Sequence, residues 1–154
     1  MNNITKLTPY EAKKRRLAQF TGSYVYYIKD KRTQKIVYVG ETDNFVRRYD
    51  AHFNEPSRGS SSFNMFCIEN KEDKRNYEMQ VLDLGKYDVN DLDDRQIIEN
   101  AMMLYHLETI VNKRKPHEMV GYEMERYEQL MSFIDFDFKA YTQLKTEKMS
   151  KKKA

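Results

Sequence analysis

The stretch YVYYIKDKRTQKIVYVGET, residues Tyr24 to Thr42, constrains the fold more than any other part of the 154-residue chain. Two runs rich in Val, Ile and Tyr, Tyr24 to Lys29 and Lys35 to Val39, flank the polar DKRTQ, which is the pattern of an antiparallel hairpin. A turn symmetric about Arg32 sets Tyr26 opposite Tyr38, Ile28 opposite Ile36 and Tyr24 opposite Gly40. Opposed residues share a sheet face with Cβ atoms about 4.5–5.5 Å apart, so two phenols would converge. Val25, Tyr27, Val37 and Val39 occupy the other face, which reads as the core face. An aromatic cross-strand pair can also do no more than stabilise a sheet. The two tyrosines alone leave both roles open.

The rest of the chain reads as helices around this hairpin. Thr8-Pro9-Tyr10-Glu11 combines a cap, a proline at the first helical position and a following glutamate, which predicts a helix from Pro9 to Phe20. Asp43 or Asn44 can cap a helix through FVRRYDAHF, with Phe45, Val46, Tyr49 and Phe53 on one side. NEPSRGSSS is a loop by composition, and FNMFCIE fits either a strand or a helical turn. Glu78 to Leu84 reads as a third strand closed by Gly85. The longest helical pattern runs from the cap Asp91 to Lys113 and stops before Pro116. From Tyr122, the spacing of Met124, Tyr127, Leu130, Met131 and Ile134 predicts another helix, broken at DFDF and resumed to about Lys148.

This order of elements predicts an α+β fold, a small three-stranded antiparallel sheet flanked by helices, with an extra N-terminal helix and C-terminal helices. The expected divisions are an N-terminal extension over 1–21, a central domain over 22–121, a C-terminal helical appendage on the same core over 122–149 and a disordered basic tail over 150–154.

The bulk properties narrow the function. Apolar runs are too short to cross a bilayer and no secretory or lipidation motif is legible, so a cytoplasmic location without membrane contact is expected. The single Cys67 cannot form an internal disulfide, which suits a reducing compartment. Net charge is +3 and the pI about 8.8, mild for a protein that grips a polyanion. Distribution matters more. Positive residues bunch at Lys13, Lys14, Arg15 and Arg16, at Lys113 and Lys115 and in the tail, and Arg47 and Arg58 add to them as candidate nucleic-acid contacts.

Arg48 and His52 lie four apart on the FVRRYDAHF helix, so a cation and an imidazole share a face. In the long helix, Glu108 falls where the apolar stripe should continue, with Ala101, Leu104, Tyr105 and Val111 as same-face neighbours. An ionised carboxylate there requires a base or a metal. Glu99 is the rival acid, but its neighbours Arg95, Gln96, Met102 and Met103 are mixed.

Taken together, Tyr24-Val25-Tyr26, Tyr38-Val39-Gly40, ETDNFVRRYDAH and LETIVNKRKP resemble the GIY-YIG nucleases in order and spacing over roughly Gly22 to Gly121. The resemblance implies a metal-dependent DNA endonuclease that hydrolyses phosphodiester bonds. Tyr26, Tyr38, Arg48, His52 and Glu108 would be catalytic: Tyr26 as general base, Tyr38 orienting water or phosphate, Arg48 on the phosphate and Glu108 holding Mg²⁺ (or Mn²⁺). Since a phenol ionises near pH 10, positive charge from Arg48, the metal and His52 would have to favour phenolate. The chain departs from the family pattern in two places: Tyr24 replaces the first glycine, and no asparagine follows Pro116, with Asn112 preceding it instead. The alternative reading is a catalytically inactive GIY-YIG-like module that binds nucleic acid or protein. One metal site cuts one strand, so a double-strand break needs a homodimer or two nicks. Tyr122 to Tyr141 is the candidate dimer contact, against the simpler expectation that it completes the monomer core.

Overall fold

A computed structural model describes residues 20–54 and 61–141. The expected helix from Pro9, the basic cluster at Lys13, Lys14, Arg15 and Arg16, Arg58 and the C-terminal helix beyond Tyr141 lie outside the described residues.

The hairpin forms as β1, Thr21–Asp30, and β2, Ile36–Asn44, both longer than expected. β3 is Tyr77–Asp83. A two-residue strand, β4 (Lys139–Ala140), pairs with β3 and makes the sheet four-stranded rather than three-stranded, in the order β2-β1-β3-β4. β1 is central, and Tyr24 to Tyr26 and Ile28 are all buried. An apolar run without polar alternation is the mark of a strand covered on both faces.

The register differs from expectation by two residues. Tyr26 pairs with Gly40, Tyr24 with Thr42 and Ile28 with Tyr38, and a bulge then brings Lys29 opposite Ile36. The turn is not symmetric about Arg32. Gln34 has φ +65°, its N–H bonds to the Asp30 carbonyl at 2.7 Å, and the Asp30 carboxylate accepts from both the backbone and the guanidinium of Arg32. The extra residue in β2 is Val37, and the bulge turns it toward Ile28 instead of toward Val25 and Val39. A slip of two preserves faces where a slip of one would exchange them. Tyr26 and Tyr38 therefore still share a face, as diagonal neighbours.

On that face lie α1, Phe45–Tyr49, its π-helical continuation Asp50–Asn54, and α2, Ser62–Glu69, so FNMFCIE is helical. They bury Tyr24, Tyr26, Phe45, Met79 and Val81 in one cluster and Ile28, Phe63, Cys67 and Tyr77 in the next. α3, Leu92–Tyr105, and α4, Tyr122–Met131, cover the opposite face, where Val25, Leu82, Ile98, Leu130 and Ile134 meet. Arg126 of α4 grips Asp94 of α3 through two bonds of 2.8 and 2.9 Å. Leu130 and Ile134 thus enter the monomer core, while Tyr122, Met124, Met131 and Phe133 stay exposed.

α3 ends at Tyr105, well before Lys113. β2 is an edge strand with unpaired backbone groups, and the chain after α3 satisfies them. Val111 N–H donates to the Val37 carbonyl at 2.7 Å, and the Thr109 hydroxyl donates to the Ile36 carbonyl. Asn112 receives the Val39 N–H at 3.2 Å and returns a bond to the Val39 carbonyl at 2.8 Å. A β-branched run laid along a strand edge gains these bonds by leaving the helix.

Candidate active site

Tyr26 is fixed by the strand that carries it. Its ring lies over Gly40 so closely that a Cβ there would overlap the phenol's Cζ and oxygen. Glycine at 40 is the condition for this placement, and Tyr24, two residues along, is not the residue that covers it. The Tyr38 ring stacks against Tyr26 at 6.2 Å between centroids with planes 22° apart.

α1 begins at Asn44, whose side chain accepts the Arg47 N–H at 3.1 Å. After Tyr49 the helix widens into the π turn, an irregularity common at functional sites. Arg48 and His52 project from this stretch toward the two tyrosines. The guanidinium of Arg48 acts on both phenols, opposing the rise that burial imposes on each. His52 is fully buried, with its Nε2 at 2.7 Å from the Tyr26 hydroxyl and its Nδ1 bonded to the Ser61 hydroxyl.

Burial, followed by the cations Arg48 and Lys74, lowers the His52 pKa to about 3. The ring is neutral at physiological pH. It supplies no positive charge to favour phenolate, which corrects that expectation. Burial also raises Tyr26 well above the usual phenol range, an effect that Arg48 only partly offsets, and raises Tyr38 in the same direction. Both are protonated phenols in the free protein.

The depressed imidazole makes stability depend on acid. In the unfolded chain the ring takes up a proton near pH 6.5, in the folded protein only near pH 3. Between these values the unfolded state holds more protons, so the contribution is complete above about pH 6.5 and is lost as pH falls toward 3. The slope for this one group is at most about 1.4 kcal/mol per pH unit. Denaturant unfolding at pH 7 and 4.5 should show a larger acid loss for the wild type than for His52→Gln. Equal losses would remove His52 from the balance.

The two candidate acids lie in different places. Glu108 is exposed, in the turn after α3, and lines a surface cavity with Gln34, Lys35, Ile36 and Tyr105 near the tip of the hairpin. Its expected helical neighbours Leu104 and Tyr105 are exposed as well. The apolar stripe invoked for Glu108 does not exist, because the helix that would carry it has already ended. Glu99, the rival, is buried in the middle of α3, and its charge is felt by both Tyr26 and Tyr38. Its carboxylate is paired with the guanidinium of Arg114, accepts from the Glu41 backbone N–H and lies near the Glu41 side chain. Burial raises the Glu99 pKa and Arg114 opposes the rise.

Of the mixed neighbours that counted against Glu99, Arg95 is partnered, and so is the adjacent Asn100. Arg95 bonds to Glu41 at 2.9 Å, and Asn100 exchanges two bonds with the His117 backbone at 2.8 and 3.0 Å. A cluster of Asp94, Arg95, Glu99 and Asn100 among Ile97, Ile98 and Met103 was the available signal for a buried polar face. Arg114 beside Glu99 and Ser61 beside His52 were missed, while Asn112, noted for preceding Pro116, lies along β2. Asn112 is buried with its amide committed at both ends to Val39, next to Gly40.

Among the described residues, no group of three or more His, Cys, Asp or Glu side chains could hold a metal ion. Mg²⁺ keeps several waters and is commonly held by one or two carboxylates together with substrate phosphate, and the carboxylate whose charge acts on both phenols is that of Glu99, which is paired with Arg114. Of the candidate phosphate contacts, Arg47, Lys113 and Lys115 are exposed, and Lys113 donates its backbone N–H to Ser62 beside Ser61 at 3.2 Å. No helix among the described residues is long and apolar enough to cross a membrane.

The buried Tyr26 and the half-buried Tyr38 thus meet the imidazole of His52 on a small α+β sheet, with the charges of Arg48 and Glu99 acting on both phenols. Residues 22–88 match the family model of the GIY-YIG catalytic domain, a nuclease domain. No curated protein and no solved structure matches the chain. The family match includes Tyr26, Tyr38, Arg48, His52 and Ser61 and ends before both glutamates, so the acid rests on geometry alone.

Proposed function

We propose that this protein is a divalent-metal-dependent DNA endonuclease, with Tyr26 as general base, Arg48 on the scissile phosphate, Tyr38 orienting water or phosphate, and Glu99 in the place expected of Glu108. The carrying observation is that Tyr26, Tyr38, Arg48 and His52 converge within contact distance while the charge of Glu99 acts on both phenols. Arg48 offers two parallel donors that match phosphate oxygens. Its guanidinium is shared between the phenols in the free protein and is the cation nearest the base. A Mg²⁺ or Mn²⁺ ion held by Glu99 would supply charge neutralisation at the leaving 3′ oxygen.

Because burial holds Tyr26 as a phenol, it can accept a proton from water only as its own proton departs. His52 Nε2 at 2.7 Å is the basic atom within reach. Transfer along that bond avoids a free buried phenolate, which the raised pKa disfavours. Exposed Arg47, Lys113 and Lys115 would extend the phosphate contacts along the strand.

Incubation of the full chain with supercoiled plasmid tests this reading. Open-circular product is expected with Mg²⁺ or Mn²⁺ and none with EDTA. Salt-sensitive DNA binding without cleavage in any divalent cation would instead identify the inactive binding module.

A further inference from the structure

His52 has two ring nitrogens and, being neutral, one N–H. Each nitrogen faces a hydroxyl, and a hydroxyl can donate or accept, so the ring by itself does not choose its tautomer. Its partners do. Arg48 is a donor only, and its positive charge acts on the Tyr26 oxygen, which turns a lone pair toward it. The hydrogen of Tyr26 is then directed to Nε2, at 2.7 Å. On the other side, Ser61 is held in place as the N-cap of α2, where its Oγ accepts the Asn64 N–H at 3.3 Å and lies against Nδ1.

We propose that Ser61 is a positioning residue of the active site: its hydroxyl accepts the Nδ1–H of His52 and so leaves Nε2 bare toward the Tyr26 hydroxyl. The inference rests on the reading of Tyr26 as general base. In the chemical step, the water oxygen bonds to phosphorus as the bond from phosphorus to the 3′ oxygen breaks, the departing 3′ oxygen takes a proton from bulk water, and the O–H proton lost by the attacking water goes to the Tyr26 oxygen. At the same time the Tyr26 O–H bond breaks and that proton goes to Nε2. The resulting imidazolium carries N–H bonds aimed at Tyr26 and Ser61, and it releases the extra proton to bulk water before the next turnover. The groups facing the ring are Tyr26 from β1, Tyr38 from β2, Arg48 from α1, Lys74 from the turn before β3, and uncharged Ser61 and Phe63 at the start of α2. Two cations among them favour return of the proton once the step is over. With the opposite tautomer, Nε2 would already hold its hydrogen and Tyr26 would have no acceptor for its own.

The chain has three histidines, so the tautomer can be read directly by long-range ¹H–¹⁵N correlation on the ¹⁵N-histidine-labelled full chain. The His52 signals, assigned as those lost in His52→Gln, should not move between pH 6 and 8. Its Nδ1 should be pyrrole-like and its Nε2 pyridine-like. Ser61→Ala should mix the two tautomers and slow plasmid nicking by roughly 10- to 100-fold, the range for loss of a residue that orients a histidine. Ser61→Thr, which keeps both the hydroxyl and the cap, should restore both readouts, separating positioning from a weakened helix terminus. A wild-type ring protonated on Nε2, or a Ser61→Ala protein with unchanged tautomer and unchanged rate, overturns the proposal. A ring protonated on Nδ1 that Ser61→Ala disturbs, in a protein that does not nick DNA, upholds Ser61 as the positioning partner and rejects the nuclease reading instead.

Discussion

Glu99→Gln is expected to slow Mg²⁺-supported plasmid nicking by about 10²–10³-fold, the cost of removing one group that stabilises developing charge. Glu108→Gln is expected to remain within about twofold of wild type, as for an exposed side chain away from the chemistry. Both carboxylates lie in the region that follows the family match, and the local sequence LETIVNKRKP favours Glu108. Tertiary position favours Glu99, which is buried beside Arg114 and acts electrostatically on both phenols, whereas Glu108 lines a solvent-facing cavity at the hairpin tip. Gln is nearly isosteric and carries no charge, so Glu99→Gln also relieves the burial of a carboxylate. Arg114 is more than half exposed and can turn to solvent when its partner is lost. Melting temperatures close to wild type for both variants would make the rate difference chemical. The reverse ranking, with Glu108→Gln inactive and Glu99→Gln active, would return the acid to Glu108 and break the spatial argument for the site.

Tyr26→Phe is expected to lower the nicking rate by about 10²–10⁴-fold, the usual contribution of a positioned general base. The substitution keeps the ring over Gly40 and removes only the oxygen, so the sheet register and the packing against Phe45 and Val81 should persist. It leaves Nε2 of a fully buried imidazole without its partner, a loss of about 1–3 kcal/mol of stability. DNA affinity measured with Ca²⁺ should hardly change, because Arg48 and the exposed cations remain. Tyr38→Phe should cost less, since Tyr38 has no bond to the imidazole nitrogen given for Tyr26. Near wild-type nicking by Tyr26→Phe, with a large loss in Tyr38→Phe, would transfer the base to the second strand.

Several elements were legible before any coordinates. The hairpin, the Asn44 cap and the third strand all follow from local propensity and capping chemistry, which depend on a few adjacent residues. The convergence of Tyr26 and Tyr38 was legible too, although their exact pairing was not. Face is a matter of parity along a strand, and a bulge at Val37 combined with an asymmetric turn at Gln34 changed the register by two without changing parity.

The length of α3 was misread for a different reason. His106 to Asn112 continues the helical spacing of apolar residues, but only Leu107 and Glu108 are good helix formers, and the open edge of β2 offers bonds to the β-branched Thr109 to Val111 and to Asn112. That competitor lies some seventy positions away in sequence and leaves no mark on the local pattern.

What the sequence by itself determined was the set of chemical groups and the elements that carry most of them: two phenols on neighbouring strands, and an arginine and histidine one helical turn apart. What only the tertiary structure decided was which carboxylate is buried where its charge acts on them, and in what protonation state they meet. Burial is a property of the assembled core. It neutralises His52, keeps Tyr26 a phenol and sets the buried Glu99 apart from the exposed Glu108, and no pattern within a single helix or strand carries that information.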